Sequence, residues 1–253
     1  MFPPKEIALN LLMHSSAVRS RARRRHNTGV LSDAGHGRQV LESFTALIPE
    51  ALDGCAILEV GPGQGVELAR AAIGAGASYC AFDVSEYLDT DAIADLDLDY
   101  RVDSSGHMPW PDGSFDVVWS HSVLEHVPEP ASLLAEIHRV IRTGGHHVAS
   151  IDLETHLGGR EDPEHMYEFL KYPQWMWNLM TSHRSGFVNR LRLSQWRSLF
   201  AQAGFEITGE RIRSARCGLD ELRAVPYLRS YADEDLLAKA VTIAARSVPA
   251  TAS

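Results

Sequence analysis

Short apolar runs alternate along this chain with longer stretches in which apolar residues return every three or four positions, the periods of strand and helix. Residues 36–48 carry the helical period. Cys55–Val60 is a short apolar run that ends in Gly61-Pro62-Gly63-Gln64-Gly65, which reads as a strand entering a glycine loop and then a helix. Similar runs over Ser78–Phe82 and Leu98–Val102 stop at Asp83 and Asp103. The turn Pro111-Asp112-Gly113-Ser114 introduces a fourth strand over Phe115–Trp119, because proline and glycine supply the backbone angles a turn needs. Pro130 suits the first turn of the next helix, Leu133, Leu134, Ile137, Val140 and Ile141 form its apolar stripe, and Gly144-Gly145 reads as its left-handed stop. A fifth strand is predicted over His147–Ile151. Beyond it, Ser194 as N-cap and Gly204 as stop bracket a helix. Then follow a strand over Phe205–Arg211, a helical stretch over 218–239 and a last strand over Val241–Ala245. This alternation means an α/β fold, in which ligands gather at the carboxyl ends of the strands. Asp83 and Asp103 stand at such ends.

Composition narrows the class. At 253 residues, 45% hydrophobic and 23% charged, the chain has globular proportions and a length that suits one α/β domain with additions. No apolar run approaches the roughly 20 residues of a membrane span, and Ile7–Met13 lacks a cleavage site, so neither a membrane partner nor an export signal is expected. Cys55, Cys80 and Cys217 are widely spaced with no CxxC pair. That spacing suggests neither a disulfide framework nor a cysteine zinc site, and a reducing cytoplasm is the expected compartment. Twenty-four basic against 33 acidic residues leave a net charge of −9, which argues against a surface built to collect nucleic acid. The exception is the cluster Arg19, Arg21, Arg23, Arg24, Arg25 and His26, read as a solvated or lid-forming helix face.

The glycine loop is the first chemical signal. Glycines at 61, 63 and 65 let a ligand approach backbone N–H groups near a helix N-terminus. A dinucleotide loop of the GxGxxG form would want glycine at 66, where Val66 stands, so a ligand without pyrophosphate fits better. Asp83 is placed to accept hydrogen bonds from a ribose diol, which both ligand classes share.

Four segments in register then carry a resemblance: Ile57-Leu58-Glu59-Val60-Gly61-Pro62-Gly63-Gln64-Gly65; Phe82-Asp83-Val84-Ser85; Phe115–Ser120 running into Val123-Leu124-Glu125-His126-Val127; and Leu134–Gly145. Over residues 50–152 the chain resembles the class I S-adenosylmethionine-dependent methyltransferases of the small-molecule group, with Leu199–Ile207 as weaker support. The resemblance implies a Rossmann-like, seven-stranded, mostly parallel sheet with helices on both faces, and S-adenosyl-L-methionine as cofactor. It puts Glu59, Gly61, Gly63 and Gly65 against the methionine portion, Asp83 with Val84 at the ribose, Asp103 and Ser104 near the adenine, and Ser120 and His121 beneath the sulfonium. Thr143 stands where the family commonly has proline.

Residues 152–193 break the strand and helix rhythm and are expected to form a helical cap over a small-molecule acceptor. An N-terminal helical lid over 1–35, a cofactor-binding core over 36–151 and a C-terminal part of the core over 194–253 complete the single domain. The expected reaction is in-line methyl transfer to O, N or C, with a sugar or secondary-metabolite acceptor as first expectation and a homodimer left open. A general base is needed only for a hydroxyl or protonated amine, and the catalytic candidates are His126, His121, Asp152 and His156. Asp152, Glu154, His156, Glu161, Asp162, Glu164 and His165 carry metal-compatible donors, yet loops ordinarily expose such residues, and no metal is assigned. The aromatics Tyr167, Phe169, Tyr172, Trp175, Trp177 and Phe187 either line the acceptor pocket or form the cap's own core. Three rival readings stand beside this one: a non-catalytic cofactor-binding module, an NAD-type oxidoreductase disfavoured by Val66, and a nucleic-acid methyltransferase supported only by the arginine cluster.

Overall fold

The computed structural model describes residues 4–15, 18, 34–88, 91–154, 168–184, 187–215 and 218–249. Seven strands form one sheet in the order β3-β2-β1-β4-β5-β7-β6: β1 (Ala56–Val60), β2 (Ser78–Asp83), β3 (Leu98–Val102), β4 (Phe115–His121), β5 (Ile141–Asp152), β6 (Phe205–Ser214) and β7 (Ala238–Ser247). The first five strands run parallel, and β7 enters antiparallel between β5 and β6. Ile57, Leu58, Val117 and Val118 are fully buried because helices cover both faces, which is why these strands read as apolar runs without alternation.

The helices are α1 (Pro4–Leu12), α2 (Ala34–Thr45), α3 (Glu67–Gly74), α4 (Pro130–Val140), α5 (Gln174–Thr181) and α6 (Leu193–Gln202), with shorter turns over Glu168–Lys171, Leu219–Arg223 and Asp233–Leu237. On one face Val40, Leu41 and Phe44 of α2 and Leu68 and Ala72 of α3 pack against Ile57, Tyr79, Val117, Trp119 and Val148. On the other, Leu134, Ile137 and Val140 of α4 and Trp196 and Phe200 of α6 cover Leu58, Val60, Val118, Ala149 and Ile151.

Three local expectations change. Helix α4 ends at Val140, with Ile141 already extended, so Gly144-Gly145 does not stop it. The glycines sit within β5, where the pairing with β4 shifts register, and Gly144 has φ +82°. Ser194 is not an N-cap: Arg192 holds that position, Gln195 Oε1 accepts its N–H at 3.0 Å, and Ser194 gives its N–H and hydroxyl to the distant Asp235 carboxylate, both at 2.7 Å. The stretch 218–239 is not one helix but two short helical turns with a 3₁₀ turn between them, leading into β7 at Ala238.

Between β5 and α6 the chain builds a separate small core. Phe169, Trp177 and Met180 pack with Leu222, Leu228 and Leu236 from the β6–β7 connection, and Ile7 of α1 joins them. Asn10 fastens α1 there: its Nδ2 donates to Leu179 O at 3.0 Å and its Oδ1 accepts from His183 N at 2.8 Å. Of the aromatics left between two uses, Phe169 and Trp177 belong to this core and Trp175 is exposed.

Candidate active site

The carboxyl ends of β1, β2, β4 and β5 meet at one edge of the sheet. After β1 the chain turns at Gly61, with φ +72°, and Gly63, with φ +64°, backbone angles that glycine adopts without a Cβ penalty. Gly61 N–H donates to Phe82 O at 2.8 Å, tying the loop to β2, and a Cβ on Gly61 would lie 2.6 Å from Val123 Cγ2. The loop therefore closes onto the segment that follows β4.

Behind it stands a chain of buried polar groups. Trp119 Nε1 donates to Tyr79 Oη at 2.7 Å, and Tyr79 donates to Glu59 Oε2 at 2.8 Å. Burial pushes the Glu59 carboxyl up to about 7 against the lowering effect of Tyr79, and the nearby acids Asp83 and Glu67 add to the rise. No Lys or Arg of the described residues pairs with Glu59. Asp83, also buried, accepts Val84 N–H on Oδ1 at 2.9 Å. A glycine loop backed by the buried Glu59 carboxyl, to which no Lys or Arg of the described residues is paired, is a setting that welcomes a ligand carrying cations. The ammonium and sulfonium of S-adenosylmethionine meet that requirement, and Asp83 at the end of β2 suits its ribose diol. Asp103 is more local: it accepts Ser105 N–H at 2.8 Å, which lowers its pKa, and Ser104 beside it is exposed.

Strand alternation separates two residues that were read together. The Ser120 hydroxyl lies 3.4 Å from His147 Nε2 on the α6 face, whereas the His121 ring meets His36 and Phe44 of α2 on the opposite face. Burial, aided by His36, lowers the His121 pKa and keeps the ring neutral. The next residue, Ser122, has φ +54°, a conformation that costs a non-glycine residue about 1–2 kcal/mol and is held here by its N–H bond to Ser150 O at 2.8 Å.

His121 and Asp152 line a cavity of about 380 Å³ with Ser150, Thr242, Arg211 and Arg213. His126 belongs elsewhere: its Nδ1 lies 2.6 Å from Phe187 O, a contact that ties it to the segment between β5 and α6. Glu125 beneath it is buried, its Oε1 accepts Asp152 N–H at 3.1 Å, and its backbone O accepts Asn189 N–H at 2.8 Å. Of the four catalytic candidates the fold thus brings together His121 and Asp152, while His156, like the arginine cluster and the acids and histidines 161–165, lies outside the described residues. Arg211 and Arg213 were missed by sequence reasoning. Their signal was present, since two arginines two residues apart in a strand share one face.

Residues 58–149 match the family described as a methyltransferase domain. A 112-residue stretch is 31% identical to the arsenite methyltransferase of Aquipseudomonas alcaligenes, covering 38% of this chain and 32% of that protein. A 100-residue stretch is 38% identical to the ubiquinone biosynthesis O-methyltransferase of Thiobacillus denitrificans, covering 37% and 43% respectively. The chain thus spans less than half the length of these curated relatives. The solved structure of an S-adenosylmethionine-dependent methyltransferase from Mesorhizobium loti superposes with a TM-score of 0.57 at 22% identity, covering 85% of this chain and 98% of that one. The matched stretch runs from β1 through most of β5, the strands that carry the glycine loop, Asp83 and His121, so residues 58–149 resemble a methyltransferase domain and the chain shares the fold of that methyltransferase structure.

Proposed function

We propose that this chain transfers the methyl group of S-adenosylmethionine to a small molecule seated against His121 and Asp152. The observation that carries the reading is the strand register around β4. Val60, the last residue before the glycine loop, pairs with Ser120, and His121 pairs with Ser150 on the other side. Neighbouring strands lie about 4.8 Å apart, so the loop on one side of β4 and the cavity on the other are within a ligand's length. The cofactor, held by Glu59, the glycine loop and Asp83, supplies an electrophilic methyl on a sulfonium.

The chain's own contribution is placement. Fixing the acceptor in line with the methyl removes much of the entropic cost of a bimolecular step. His121, kept neutral by burial, can take a proton at a ring nitrogen, and the Asp152 carboxylate offers a second acceptor. The polar lining of the cavity favours a polar acceptor, in keeping with a sugar or secondary-metabolite scaffold. In this reading residues 1–35 are the lid, 36–151 the cofactor core, 152–193 the cap and 194–253 the rest of the core. A cytoplasmic location belongs to the same proposal; no described helix is long and apolar enough to cross a membrane.

Calorimetry with S-adenosylhomocysteine and NAD tests the cofactor assignment. Binding of the first alone is expected. Asp83→Ala should weaken it at least tenfold, since a charge-assisted hydrogen bond is worth about 1.5–3 kcal/mol. Unchanged affinity would remove Asp83 from the site, and absent binding by the folded protein would overturn the reading. Formation of S-adenosylhomocysteine in the presence of a small-molecule extract separates an enzyme from a binding module.

A further inference from the structure

Acids outnumber bases 33 to 24 in this chain, yet the cavity beside His121 reverses that balance. Arg211 and Arg213 both line it from the carboxyl end of β6. The Arg211 guanidinium donates to Ser43 O at 3.3 Å, and no carboxylate among the described residues pairs with it. Glu154 is shared, with Oε2 3.2 Å from Arg213 Nη2 and Oε1 3.1 Å from Lys239 Nζ. Of the charged side chains that line the cavity, two are arginines and one, Asp152, is a carboxylate. Arg211 is exposed at the rim, so its planar fork can grip a carboxylate or phosphate through two parallel hydrogen bonds without first breaking an ion pair. Across the cavity lie His121 and Asp152, and Ser150 and Thr242 line the span between. Its volume falls in the small-ligand range of about 300–1,000 Å³.

We infer that this cavity binds a small anionic acceptor, its carboxylate or phosphate on Arg211 and Arg213 and its nucleophile turned toward His121 and Asp152. The inference rests on the methyl-transfer reading for the use made of the occupant. The anion site itself stands on the arginines. His121 contributes no competing cation, because burial keeps it neutral. The opposed placement also gives the acceptor one orientation: Asp152 repels the anionic group and leaves its end of the cavity to a hydroxyl or amine.

The test titrates the full chain, with and without S-adenosylhomocysteine, with inorganic phosphate and separately with acetate, ionic strength being held constant with chloride. The His121 ring proton, assigned by its loss in His121→Gln, is followed by NMR. A saturable shift with at least one of the two anions is expected, and the stronger of them identifies the group recognised. Arg211→Gln should weaken it at least tenfold, or about 1.4 kcal/mol, and Arg211→Lys should restore part of the loss. Arg213→Gln should cost less, because Arg213 shares Glu154. Absence of a saturable shift beyond that of chloride, or equal affinity in a folded Arg211→Gln variant, would overturn the inference. Homocysteine-nucleoside binding is read in the same samples. Its failure with the anion response intact would sink the methyl-transfer reading and spare the anion site; the converse would do the opposite.

Discussion

Glu59 and Glu125 lie beneath the site as buried carboxylates with no cation paired to either among the described residues, and burial pushes them up to about 7 and about 8. For Glu125 the ordinary value is 4.5, so between there and about 8 the folded chain binds a proton that the unfolded chain has released. Stability from this group is full below the unfolded value and is lost as pH rises through the folded one, with a slope of at most about 1.4 kcal/mol per pH unit. Glu125→Gln keeps an acceptor for Asp152 N–H and removes the titration. Urea unfolding from about pH 5 to about pH 8 should show wild-type stability falling more steeply than that of the variant. Parallel curves would mean Glu125 does not hold its proton. The sequence shows Glu125-His126 as a pair, but not that one is buried under β5 and the other braced on Phe187, because both facts depend on segments 27 and 61 residues away.

Among the elements, β5 departs most from its local signals. Proline at one end and two glycines at the other mark a helix with a left-handed stop, yet packing ends the helix at Val140 and recruits the glycines into the strand. A Cβ on Gly145 would lie 2.5 Å from Asp116 O, and that close approach of β4 and β5 explains the residue better than helix termination does. Gly145→Ala should cost about 2 kcal/mol, lowering Tm by about 4–8 °C in a chain of this size. At Gly74, in a helix, nothing lies within 4 Å of the added Cβ, so Gly74→Ala should leave Tm unchanged or raise it slightly. Equal thermal shifts in the two variants would refute this account of β5.

For the molecule as a whole, residues 169–188, the β6–β7 connection and α1 share one small core apart from the two that cover the sheet. Arg192 ties this assembly down: fully buried, it donates through Nε to Asp235 O and through Nη1 to Leu153 O, both at 2.8 Å, and also bonds Ala238 O. The start of α6, the end of β5 and the start of β7 are thereby held at one point. We expect the assembly to move as a unit above that clamp. Hydrogen exchange with and without S-adenosylhomocysteine should show protection rising together in residues 4–12, 174–184 and 219–228. Protection that rises only around the glycine loop would indicate a rigid cap, uncoupled from cofactor binding.

The strand and helix rhythm, the glycine loop, Asp83 and the methyltransferase resemblance are all legible in the sequence, because each is encoded over a few neighbouring residues by period, backbone freedom or charge. Parallel strands buried on both faces announce themselves as apolar runs, and the loops that end them announce the ligand edge. Only the tertiary structure decided that Ser120 turns to His147 while His121 turns to α2, that Glu125 supports Asp152, and that β7 slips between β5 and β6. That last step brings Arg211 and Arg213 to the same cavity as His121 and Asp152. Residues some 60 to 90 positions apart in the chain meet there through sheet order and register, which local periodicity does not specify.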